Sequence, residues 1–184
     1  MTFAISDQTK KTMNTILTTA TLVLLTLCMN AQELVSNTGS VSFITPKDAD
    51  VSATSQSLTS KINLDTKEIV FSVPVQAFTF ASSKMQQHFN QEGVMNSAKF
   101  PKAKFVGTIV TDESLKKDGE YDVTVEGEMT IKGNKQPFTA QGTMTVSEGT
   151  IEVTSSFTIN GFNFGVDSKD FGDVVEVTLN AVYE

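Results

Sequence analysis

The residues equipped for chemistry are few and scattered. His88 is the only histidine, Cys28 the only cysteine, and all 14 basic residues of the 184-residue chain are lysines. A zinc site needs several imidazoles or thiolates, which one His and one Cys do not supply. Serines are plentiful, yet no G-x-S-x-G turn presents one as a nucleophile, and a triad built on His88 has no acid that spacing identifies. His88 therefore reads as a solvent-facing or helix-capping residue. Glu126 and Glu128 are two apart, which in a strand puts both on one outward face near Lys132, as solvated charges and not an acid and base pair. Asp167, Asp170 and Asp173 carry calcium-type ligands without the spacing of a twelve-residue EF-hand loop. Acids number 21, and the net charge of −7 repels a phosphate backbone. Without arginine there is no planar fork for bidentate anion capture. The expectation is a protein that is not an enzyme, with no cofactor, no metal and no nucleic-acid partner.

What such a chain builds is legible from its patterning. Lys10 and Lys11, the apolar run from Ile16 and the ending Met29-Asn30-Ala31 read as a secretory signal over residues 1–31. The run from Ile16 to Cys28 is too short to span a bilayer, so no integral membrane segment is expected in the mature chain, 32–184. Cleavage there leaves an exported, periplasmic or secreted domain without cysteine, stabilised without disulfides. Beyond it a period of two dominates. Tyr121, Val123, Val125, Gly127, Met129 and Ile131 alternate with charged and hydroxyl residues, as do Phe138 to Val146 and Ile151 to Ile159. Turn residues at Gly133-Asn134 and Glu148-Gly149 join these segments into an antiparallel meander. Further strands are read at Val41 and Phe43, Leu58 to Leu64, Ile69 to Ala77, Phe105 to Ile109, and Val175 to Tyr183, with Pro74 marking an edge or bend. Only Ser82 to Asn90 reads as a helix, capped by Ser82 or Ser83, and it is taken as an ornament.

About eight antiparallel strands, each apolar on one face, must close into a barrel or fold over as a sandwich. Strands of this length favour the barrel, whose interior at eight strands holds side chains or one small ligand. The inward set supplies the candidate ligand-binding residues: Phe43, Phe71, Val73, Phe105, Ile109, Val125, Met129, Phe138, Met144, Phe157, Ile159, Val177 and Leu179. Phe162 and Phe164, among glycines and asparagines, are candidates for a gate at the mouth or a permanent plug. Gly107, Gly127, Ala140, Gly142 and Ser155 are also inward. Such small residues either leave open space, in which case Gly127→Phe or Gly142→Phe fills it, or let the sheet curve. Outward Val106, Val110 and Val174 offer room for a homodimer contact.

Three ordered stretches carry a family resemblance. Met85-Gln86-Gln87-His88-Phe89-Asn90, continued by Met95 to Phe105 with Phe100-Pro101, resembles the short helix and aromatic-Pro entry into a strand of the YceI-like polyisoprenoid-binding family. Glu128 to Phe138 (EMTIKGNKQPF) is similar to its "L-T-I-x-G-x-T-x-P" hairpin. Phe157 to Val166 with Gly172 to Val177 is similar to its closing "F-x-I-x-R-x-D-F-G" and "G-D-x-V-x-V" pair. The resemblance spans residues 39–184 and implies an all-β, antiparallel, eight-stranded lipocalin-like β-barrel with one short helix. It also implies export and an isoprenoid or other long-chain apolar ligand in the lumen. Gly161 and Asn163 depart from the Arg and Asp of the pattern, and Ser52 to Ser60 is richer in Ser and Thr, as a lid or loop would be. The alternative is a filled barrel acting as a protein-interaction module in the cell envelope.

Overall fold

The computed structural model describes residues 33–46, 51–166 and 174–184. The expected signal segment with Cys28, and Asp167, Asp170 and Asp173, lie outside the described residues. Among the described residues nine strands form one antiparallel sheet: β1 (Glu33–Ile44), β2 (Ser52–Asn63), β3 (Glu68–Pro74), β4 (Thr79–Phe80), β5 (Lys102–Val110), β6 (Gly119–Ile131), β7 (Asn134–Ser147), β8 (Thr150–Asn160) and β9 (Val174–Tyr183). The sheet runs β1-β9-β8-β7-β6-β5-β3-β2, and pairing of β1 with β2 closes it, so eight strands make a barrel while β4 adds two residues beside β2. Closure answers the chain's need to bury one face of every strand. The lower end carries the β2–β3, β5–β6 and β7–β8 connections, and the upper end carries the others.

Two tight turns fix the register of the central meander. Lys132 and Gly133 have φ of 50° and 78°, and Glu148 and Gly149 have 50° and 87°, the double left-handed pair that suits the twist of a two-residue hairpin. Asn134 thus begins β7 instead of sitting in the turn. From Lys132–Gly133, β6 and β7 pair without a break from Ile131↔Asn134 to Gly119↔Val146.

Several expectations change. Ser52 to Ser60 is neither lid nor loop; it belongs to β2, whose burial alternates and which pairs with β1, β3 and β4. The first strand is twelve residues long, since a small polar residue such as the buried Ser36 can also face the barrel interior. The helix, α1 (Ser83–Asn90), starts at Ser82, whose hydroxyl accepts from the Met85 amide at 3.4 Å. It is no ornament: Phe89 is buried against Phe43, Phe78 and Phe80, with ring centroids 5.0 to 6.0 Å apart. Together with buried Val94 and Met95 this segment covers the upper end, where β2 and β3 no longer pair.

The inward glycines are explained by approach, not by open space. Gly107 and Gly127 face each other across β5 and β6. A Cβ on Gly127 would strike the Val106 carbonyl and come within 2.5 Å of the Gly107 Cα; one on Gly107 would strike the Glu126 carbonyl and the Phe105 ring. A Cβ on Gly142 would lie 2.5 Å from the Thr154 oxygen. These glycines let the sheet coil tightly, as barrel corners require. Filling the lumen from Gly127 or Gly142 is thereby excluded, because backbone occupies the space.

Candidate functional site

The lower end is stoppered by Leu115, from the β5–β6 connection, and by Tyr183 at the end of β9, each 1% exposed. Tyr183 shares a short hydrogen bond with Ser60, which also bonds the Val70 carbonyl at 3.0 Å. Burial pushes the Tyr183 phenol up from 10.0 to about 12, and the Ser60 bond opposes that shift. Ser36, the register partner of Ser60, is also buried, and its hydroxyl has no hydrogen-bond partner among the described residues.

The upper end is covered from two sides. On one lies the α1 segment; on the other a 3-10 turn, Gly161–Phe164, follows β8. The Asn160 side chain accepts from the Phe162 amide at 3.0 Å, and Gly165 ends the turn at φ 68°. Hydrogen bonds tie the turn to the β6–β7 hairpin: Asn134 Nδ2 to the Phe164 oxygen at 2.7 Å and Gln136 Nε2 to the Asn163 oxygen at 3.0 Å. The Lys132 ammonium spans both covers, donating to Gly165 O at 2.8 Å and Gly93 O at 3.3 Å.

Between the stoppers lies an apolar cavity of about 210 Å³. Every sequence-predicted lumen residue lines it, and so does Phe164, which is 3% exposed. Phe162 does not; it is 56% exposed on the outside of the turn, so the two phenylalanines are not a paired gate. Lining residues absent from the sequence reading include Phe78, Phe89, Val94 and Met95. Their signal was apolar residues in the otherwise polar helix and in the short stretches on either side of it. Among the described residues the cavity has no acid or base aimed into it: Lys104, the one charged residue among those lining it, is exposed. Glu128 pairs with Lys135 at 2.7 Å on the outside, and His88 bonds Gln91 at 3.1 Å near the end of α1. Among the described residues no three metal-ligating side chains cluster, and no helix is long and apolar enough to cross a membrane. A cavity so lined excludes water and accepts apolar molecules; one of about 150 Å³ stays dry and takes benzene.

The family model of the YceI-like domain matches residues 32–183. Three solved structures share the barrel. BcnA of Burkholderia cenocepacia has a TM-score of 0.66 at 17% identity, covering 78% of this chain and 95% of its own. A polyisoprenoid binding domain from Saccharophagus degradans, implicated in plant cell wall breakdown, has 0.70 at 12%, covering 83% and 97%. The Campylobacter jejuni YCEI protein has 0.57 at 12%, covering 70% and 80%. At these identities the likeness is one of fold. No curated protein matches the chain.

Proposed function

Because the chain belongs to the YceI-like domain family, we propose that it is an exported lipid-binding protein that holds a polyisoprenoid or similar long apolar chain in its lumen, as carrier, store or sequestering agent. The observation that supports this reading most is the apolar cavity of about 210 Å³, lined mainly by Phe, Met and aliphatic residues. By proportion with the benzene-binding cavity it takes roughly eight carbons. At about 0.8 kcal/mol per methylene, their burial contributes about 6 kcal/mol, indifferent to head group. The signal-like residues 1–31 support periplasmic or secreted placement. The protein is not an enzyme in this reading.

The test is native mass spectrometry of the protein from its exporting cell, followed by organic extraction. A co-purifying isoprenoid or long-chain lipid is expected. An empty extract together with no uptake of added farnesol overturns the proposal and favours a protein-interaction module.

A further inference from the structure

The barrel wall is incomplete on one side. β7 and β8 pair from Ser147↔Thr150 up to Gly142↔Ser155, and there the ladder stops. Continued in register, Gln141 would face Ser156 and Pro137 would face Asn160. On the far sides pairing persists, since β7 remains bonded to β6 through Asn134 and β8 to β9 through Asn160. The wall is therefore slit over five residues of each strand, about 17 Å at roughly 3.4 Å per residue.

The slit has defined ends and a defined filling. At its foot the Ser155 hydroxyl donates to the Gln141 carbonyl at 2.5 Å. At its head side chains replace the ladder, through the Gln136 and Asn134 bonds to the 3-10 turn. Between these the rings of Phe138 and Phe157 meet edge to face, with centroids 5.1 Å apart. Phe138, Phe157 and Ile159 point inward and line the cavity yet are only half-buried, unlike Met144 and Val153 below the slit. Pro137, which has no N–H for a neighbour, stands where β7 leaves β8 unpaired.

We propose that this β7–β8 slit is the ligand portal: an apolar chain enters sideways past Phe138 and Phe157, and its head group stays outside the wall. The proposal rests on the lumen-binding reading above. Both ends are stoppered by packed side chains, whereas opening the slit moves two aromatic rings and breaks no ladder hydrogen bond. A chain longer than the cavity also has somewhere to go, trailing out along the slit. Selection then acts on the chain, and bulky head groups are tolerated.

The test locks the slit. In a Cys28→Ser background, the outward and exposed Thr139 and Thr158, which would face each other in a continued ladder, are changed to cysteine. A short bifunctional methanethiosulfonate bridges them reversibly, and a monofunctional one is the control. Uptake of a dansyl-labelled farnesyl ether is followed by fluorescence. Bridging is expected to slow uptake roughly tenfold or more, as gating of a rate-limiting opening does, with recovery on reduction and no effect of the control reagent. Phe157→Ala, tested separately, is expected to accelerate uptake. Uptake unchanged by bridging, or by Phe157→Ala if the bridge does not form, overturns the portal. In that case Lys132→Met, which frees both upper covers, should accelerate uptake by way of the barrel end. No uptake by the unmodified protein, together with an empty lipid extract, instead overturns the lumen-binding reading itself.

Discussion

Replacing Gly127 with alanine tests the account of how the barrel is coiled. The added Cβ would lie 2.5 Å from the Gly107 Cα, about 1 Å short of carbon–carbon contact. Both obstacles, Gly107 Cα and the Val106 carbonyl, are backbone, so no side-chain rotation relieves them. β5 and β6 must separate by about 1 Å, which carries the adjacent ladder bonds beyond useful length. Losing about two of them at ~1 kcal/mol each, plus ~1–3 kcal/mol of overpacking, gives about 4 kcal/mol. For a domain of this size that is a fall in Tm of roughly 8–16 °C. Thermal unfolding by circular dichroism measures it, with Gly93→Ala as reference because a Cβ there meets nothing within 4 Å. A Gly127→Ala Tm within about 2 °C of the parent would refute the close approach of the two strands.

Tyr183 sets a pH dependence. Its folded-state value, about 12, lies above its ordinary 10.0, so its contribution is complete below pH 10 and is lost as pH rises toward 12, at up to about 1.4 kcal/mol per unit. Urea unfolding at stepped pH should show this fall, and Tyr183→Phe should lack it while losing about 1 kcal/mol at neutral pH. Phe89→Ala removes the ring shared by Phe43, Phe78 and Phe80 and should cost about 3–5 kcal/mol, with hydrogen exchange rising in residues 83–95. Phe162→Ser, at a largely exposed side chain outside the cavity lining, should change stability by less than about 0.5 kcal/mol and leave farnesol uptake unaltered; altered uptake would put Phe162 in the site after all.

The meander and its inward aromatic face were legible because a period of two needs no knowledge of partners. β6, β7 and β8 follow from their own alternation. What was not legible depends on who faces whom. Gly107 and Gly127 look like vacant lumen until register sets them opposite each other. The long β1 and β2 were obscured because Ser36, Ser55 and Ser60 are buried where apolar side chains would be expected, the Ser55 hydroxyl bonded to backbone and the Ser60 hydroxyl to backbone and Tyr183. Phe89 was visible, but its neighbours are Phe43, from the distant β1, and Phe78 and Phe80, from a stretch without helical or strand periodicity, so the helix looked dispensable. The site's lining was mostly readable for the same reason as the strands, whereas Phe162 and Phe164 both lie in a 3-10 turn, which alternation does not describe. The break above Gly142 had one sequence signal, Pro137, whose neighbours alternate as if the ladder continued.

A closed barrel normally abolishes strand edges, and this one restores two of them along the slit. Unpaired backbone groups on β7 and β8 are a template for any passing extended chain, a second copy of the protein included. Pro137 withholds a donor from that edge, and the Gln136 and Asn134 bonds to the 3-10 turn occupy its upper approach. These devices blunt the β7 edge against intermolecular strand addition, so small polar and imino residues bear on solubility as well as on shape.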